Sequence, residues 1–321
     1  MGTLLEKAEA LRAEGRLAKA ADVFERVLRN RAAPDERLGA HRSLAALYRS
    51  LGDAPRSRGH IRRGMSLAES LGDADEAELL RLEEAMLLRA EGRYPESLRK
   101  LRAFLALYRR REDWEGEGFV LWAMGGALRF SGSLDASEKA FRQSLAAFRR
   151  ARDSSGARYA VLGLAGLKRI RGDVEGSRRL YASVLPRART DGDFFGLAYA
   201  HCGLANALRQ MGRWGEAAAH YRSSGRLYRT LGDAVDGAYV DWGMGQVEWR
   251  LGRSGLARVL FLKALRAFRK ARETRGEVLA GMALASLSYL DGRKAEGFKL
   301  QARVLRLSRR ARIQTPLEVF T

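Results

Sequence analysis

The sequence predicts an all-α fold, an α-solenoid of eight helix-turn-helix repeats. Three observations carry this: a glycine recurs every 40 residues, an arginine stands three places before it, and apolar residues fall at helical spacing between. The glycines are Gly52, Gly92, Gly132, Gly172, Gly212, Gly252 and Gly292, with Gly15 standing 37 residues before the first. The arginines are Arg12, Arg49, Arg89, Arg129, Arg169 and Arg209. Stacked repeats of one fixed period share a continuous core, so length alone does not argue for two domains. Residues 1–314 are expected as one superhelical domain, with repeats near 1–37, 38–77, 78–117, 118–157, 158–197, 198–237, 238–277 and 278–314.

Numbering each repeat so that its glycine is position 15, the first helix carries apolar residues at positions 3, 7, 10 and 14, as in Ala200, Leu204, Ala207 and Met211. The glycine then ends that helix, because it adopts the left-handed conformation without a Cβ penalty. The second helix repeats the spacing, for example at Leu134, Phe141, Leu145 and Phe148. Position 8 is always alanine or glycine, position 20 is always alanine, serine or glycine, and position 24 is large in seven copies, from Phe24 to Phe261. Two closely packed helices need this arrangement, small residues at the crossing and a knob beside it. Asp73, Asp113, Asp153, Asp193, Asp233 and Glu273 precede the next first helix and are placed to cap it. The ends of the array are polar: Lys7 and Glu14 replace core residues in repeat one, and Gln301 does so in repeat eight. From Thr315 to Thr321 the chain leaves the pattern as a C-terminal tail, after a proline that disfavours continuing the helix.

Leu204-Ala205-Asn206, Gly212, Ala217 and Tyr221, with their counterparts in the other repeats, resemble the tetratricopeptide repeat (TPR) family. The match is to its long 40-residue form, as in kinesin light chains and adaptors of the Leu-Gly-Asn type. The resemblance implies a right-handed superhelix, with first helices lining a concave groove and second helices outside. It also implies a binding function, because long-form members hold acidic peptides in basic, asparagine-bearing grooves. Position 9 departs from that pattern, being mostly small here.

Positions 2, 5, 9 and 12 point away from the packing face of a helix that advances about 100° per residue. This face carries the arginine column together with Phe119, Tyr159, Tyr199, Tyr239, Trp122, Trp242, Trp249 and Tyr289. Such aromatics suit a recognition groove, or else pack on the neighbouring first helix. Arg49 and Arg89 have acids such as Glu83 on or near the same face, whereas Arg129, Arg169 and Arg209 stand among glycines and aromatics without an evident partner. Gly126, Gly163, Gly166 and Gly203 leave space beside them, and Asn206 and Gln246 at position 9 can bond a ligand backbone. A second column, Arg109, Arg149, Arg189, Arg229, Arg269 and Arg309, lies at the C-terminal ends of second helices, where cations offset the helix dipole.

The composition is that of an ordered protein, with 46% hydrophobic residues and five prolines. Its net charge of +21 favours an acidic partner, although arginine-rich coding bias produces the same balance. Cys202 is the single cysteine, so no intrachain disulfide or multi-cysteine zinc site can form, and His41, His60, His201 and His220 are scattered. No phosphate-binding loop, zinc-helix motif or nucleophile elbow occurs, so neither enzyme activity nor a cofactor or metal is expected. Without a secretory pattern at the N-terminus or a long apolar run, a cytoplasmic location is expected. The leading expectation is a protein-protein interaction scaffold that binds an acidic or acidic-aromatic peptide segment in its concave basic groove. Single-stranded nucleic acid on the arginine-aromatic face is the alternative, and a sensor that closes on a peptide signal is the third.

Overall fold

The computed structural model describes residues 3–30, 32–311 and 313. Among the described residues the chain forms sixteen helices and no strand: α1 (Leu4–Ala13), α2 (Leu17–Arg29), α3 (Pro34–Ser50), α4 (Ala54–Leu71), α5 (Ala74–Ala90), α6 (Tyr94–Arg110), α7 (Trp114–Phe130), α8 (Leu134–Arg150), α9 (Ser154–Ile170), α10 (Val174–Thr190), α11 (Phe194–Gln210), α12 (Trp214–Leu231), α13 (Ala234–Arg250), α14 (Ser254–Ala271), α15 (Thr274–Leu290) and α16 (Lys294–Arg310). The expected tail over 315–321 lies outside the described residues. Odd and even helices pair as eight hairpins, each hairpin packs on the next, and odd helices also touch, α3 with α5 and each successive pair from α7 to α15, which puts them on the inside of the curve.

The turn glycines define these hairpins. All eight have φ between +72° and +86°, and Gly212 is typical in donating its N–H to the Arg209 carbonyl at 3.1 Å. Each long odd helix from α5 onward starts at the acid read from the sequence: Asp73, Asp113, Asp153, Asp193, Asp233 and Glu273 each accept the backbone N–H three residues on. Between turn and cap, Ala205 and Ala217 are fully buried around the ring of Tyr221, and the same triplet recurs as Ala8, Ala20 and Phe24. Gly125 and Gly245 replace that alanine because a Cβ there would lie 2.8 Å from Phe141 and 2.5 Å from Phe261.

The array winds tightly enough for its two ends to meet. The Gly15 turn abuts Leu231 at the end of α12, and the Gly52 turn abuts Val235 and Ala271. Arg275 at the start of α15 donates to the Tyr94 hydroxyl at 2.7 Å and to the Phe130 carbonyl at 3.0 Å, with its guanidinium over both rings. The A–B turns of repeats one to four therefore rest against the B–A turns of repeats six to eight, and the concave face is closed over its middle.

Candidate functional site

The closed interior holds a cavity of about 310 Å³, and its lining includes eight of the residues read from the sequence: Arg89, Arg129, Arg169, Asn206, Trp122, Tyr159, Tyr199 and Tyr239. Two of the arginines form a ladder in which the guanidinium reaches over position 9 of the next repeat. Arg89 crosses Gly126, where a Cβ would meet its Nη1 at 2.8 Å, and Arg129 crosses Gly166, where the distance would be 2.6 Å. The space beside these glycines is thus filled by the preceding arginine. That beside Gly163 and Gly203 is filled by the rings of Phe141 and Tyr181. The sequence suggested ligand space at all four; each of them instead admits a core or groove side chain of the protein itself.

The guanidiniums lie on aromatic faces: Arg89 over Trp122 at 5.0 Å, Arg129 over Phe130 at 4.8 Å and Arg209 over Trp242 at 5.3 Å. Arg129 donates to the Tyr199 hydroxyl at 3.5 Å, and Arg209 to the Tyr221 hydroxyl at 3.3 Å, which in turn donates to Asn206 Oδ1 at 2.5 Å. Among the described residues no carboxylate pairs with Arg89, Arg129 or Arg209, and the Nε atoms of Arg89 and Arg129 are buried without an acceptor. Burial, with Arg49 and Arg129 nearby, brings the Arg89 pKa down to about 10, and burial also lowers that of Arg169. Arg89 remains charged at neutral pH, so this side of the cavity is cationic.

Other residues of the predicted set have structural partners. Arg49 is held by Glu83 at 3.0 Å and stays outside the cavity lining. Trp242 is 1% exposed in the core formed by α13, α14 and α15, and Trp249 packs against the same cluster. Gln246 is buried on α13, outside the lining. The position 2 tyrosines clip successive repeats together, Tyr159 donating to Asp193 and Tyr239 to Glu273, each at 2.9 Å.

The cavity also contains residues that the sequence reading did not select: Asp236, Tyr181, Tyr228, Phe195 and Cys202. Asp236 had a visible signal, since Gly116, Gly156, Gly196 and Gly276 occupy the equivalent place in four other repeats. Cys202 is no nucleophile, because burial pushes its thiol up to about 12. Among the described residues no cluster of three metal-ligating side chains occurs, and no helix is long and apolar enough to cross a membrane. The arrangement is suited to holding a polar ligand by charge-assisted hydrogen bonds and aromatic contact.

A profile of the tetratricopeptide repeat family matches residues 200–235. Compared by sequence with curated proteins, the chain has no match. Among solved structures it is similar to a Rap protein complexed with Competence and Sporulation Factor, at 12% identity and a TM-score of 0.64 over 86% of this chain and 78% of that one. It is similar to the apo quorum sensor NprR of B. thuringiensis, at 12% identity and a TM-score of 0.56, covering 95% and 97% of the two chains. It also resembles the Cut9–Hcn1 hetero-tetramer of the APC/C, at 13% identity and a TM-score of 0.65, over 98% of this chain and 54% of that one. With sixteen helices paired in repeat register among the described residues, the chain has the fold of a tetratricopeptide-repeat solenoid, and residues 200–235 match that family's profile.

Proposed function

We propose that the protein is a non-enzymatic peptide-binding adaptor that takes an acidic or acidic-aromatic segment of a partner against the arginines of its closed interior. The observation that carries this is the pair Arg89 and Arg129, which line the cavity with buried Nε atoms lacking an acceptor. Buried donors of a charged group left unmatched are costly, and a ligand carboxylate supplies the missing acceptor. The likeness in fold to the complexed Rap protein and to the quorum sensor NprR supports ligand binding by such a solenoid. A cavity of this volume accommodates a few residues and not a long extended strand, so the segment is short. That favours a peptide over single-stranded nucleic acid, which needs an open track for its backbone.

The test is fluorescence anisotropy with three labelled probes: an aspartate- and tyrosine-rich peptide, its lysine-substituted counterpart and single-stranded RNA. The acidic probe should bind best, and Arg129→Ala should weaken it by tenfold or more with the helical circular dichroism unchanged, since hydrogen bonds to charged groups contribute about 1.5–3 kcal/mol. Tight, salt-sensitive binding of RNA with no binding of the acidic peptide would replace this reading with the nucleic-acid one.

A further inference from the structure

The arginine wall is only one side of the cavity. Asp236, in the first turn of α13, also lines it, beside Tyr228 of α12 and Tyr239 of α13. Its surroundings are unusual for a carboxylate. Asp233 and Glu273 are the charged groups that act on it, both of its own sign, and the Tyr228 hydroxyl is the donor that faces it. Among the described residues it makes no ion pair, so a protein with 59 lysines and arginines places none of them on this acid. In four other repeats the equivalent glycine has no side chain to bury: Gly116 and Gly156 are pressed against the rings of Tyr108 and Phe148, which occupy the repeat position that Tyr228 holds here. Asp236 thus replaces a residue that packs well with one whose carboxylate the folded protein leaves without a counter-ion.

We propose that this acid–tyrosine wall is a recognition subsite for an ammonium group, so that the interior takes a small zwitterion whose carboxylate meets Arg89 and Arg129 and whose amine meets Asp236. The inference rests on the reading above that the interior binds a ligand, and it specifies the ligand's class: an amino acid or short peptide with a free N-terminus. An arginine wall and an acid wall line one cavity without pairing with each other. A purely anionic ligand satisfies the arginines and leaves Asp236 without a cation; a purely cationic one does the reverse. A zwitterion answers both, and the faces of Phe195, Tyr228 and Tyr239 add favourable contact for an ammonium. Burial first, then Asp233, holds the Asp236 carboxyl well above the usual carboxylate range; this favours its neutral form in the absence of a cation, and an ammonium beside it would favour the ionised one.

The experiment is native mass spectrometry of the full chain with equimolar tripeptide libraries carrying free termini, an acetylated N-terminus or an amidated C-terminus, and with the free amino acids in a separate arm. Members of the free library should be retained, and acetylation should lower the bound fraction at least tenfold. Asp236→Asn should reduce free-library binding to the acetylated level. Retention in the amino-acid arm alone assigns the ligand as a single amino acid, and retention of tripeptides assigns a peptide; both support the zwitterion. Equal retention of free and acetylated libraries overturns the inference whatever the variant does. If in that case Arg129→Ala still lowers retention, the acidic-segment reading stands without it. No retention from any library or amino acid also overturns it, and the anisotropy measurement then decides the broader reading separately.

Discussion

At the scale of single residues, the four groove-face glycines differ in what an added methyl group would strike. At Gly203 a Cβ would lie 2.2 Å from the ring of Tyr181, a buried side chain locked in the core of α9, α10 and α11. At Gly166 it would lie 2.6 Å from Nη1 of Arg129, the free end of a flexible chain. Gly203→Ala should therefore cost about 1–3 kcal/mol by overpacking. Gly166→Ala should leave stability within roughly 1 kcal/mol, since alanine gains helix propensity, while displacing Arg129 and weakening the acidic probe; urea midpoints and anisotropy separate the two. The histidines are the second residue-scale case. His41 faces His60 with Nδ1 atoms 3.0 Å apart, and His201 faces His220 at 2.8 Å, the same two positions in repeats two and six. Burial, then the partner imidazole, lowers His41 and His201 to about 4, and burial lowers the other two. The unfolded chain binds these protons more readily, so this stability is complete above pH 6.5 and lost as pH falls towards 4, by roughly 3 kcal/mol at most for buried His41. Urea midpoints should drop between about pH 7.5 and 5, and the drop should shrink in His41→Leu with His201→Leu.

At the scale of the element, most of the hairpin was legible because its determinants are local. A glycine that turns, an acid that caps and a small–small–large triplet each act within one repeat, and a period of 40 multiplies the signal. The arginine ladder was half legible. Helical phase places Arg129 on the inner face, but phase does not show that its guanidinium lies over Gly166 of the next repeat, so space assigned to a ligand belongs partly to the protein. Hydroxyl bonds between the two helices of a hairpin were missed because serine at position 20 reads simply as a small residue. Ser57, Ser97 and Ser137 each donate across the hairpin to the carbonyl at position 8, at 2.7–2.8 Å. Ser177 holds the same position with its hydroxyl buried and without a partner. Alanine at Ser137 should thus cost about 1 kcal/mol, and alanine at Ser177 should be neutral or stabilising. Equal losses in thermal denaturation would contradict this account of the crossing.

At the scale of the whole molecule, curvature decides what the groove can hold, and curvature was not legible. It is set by small rotations accumulated over eight interfaces, and no single residue type encodes them. Only the closed superhelix brings Asp236 of repeat six's end into the cavity of Arg89 and Arg129, and only there does Arg275 meet Tyr94, 181 residues away in sequence. Through this contact a side chain from the start of the last repeat is hydrogen-bonded to repeats three and four. Each repeat keeps its own neighbours when it is removed, so Arg275→Ala should leave helicity intact and local stability little changed. Its effect belongs to shape: without the bond to Tyr94 and to the Phe130 carbonyl, the turns facing each other across the closure can part. Small-angle scattering should then give a larger radius of gyration for the variant, and ligand association should be faster, because the entrance no longer waits on that contact. The side chain also packs over two rings, so Arg275→Lys separates the effects: it keeps the charge and one donor but loses the planar, forked contact. An expanded Arg275→Ala with Arg275→Lys in between is the expected order, and a variant as compact as the parent would show that the turn contacts at Gly15 and Gly52 suffice to hold the superhelix closed.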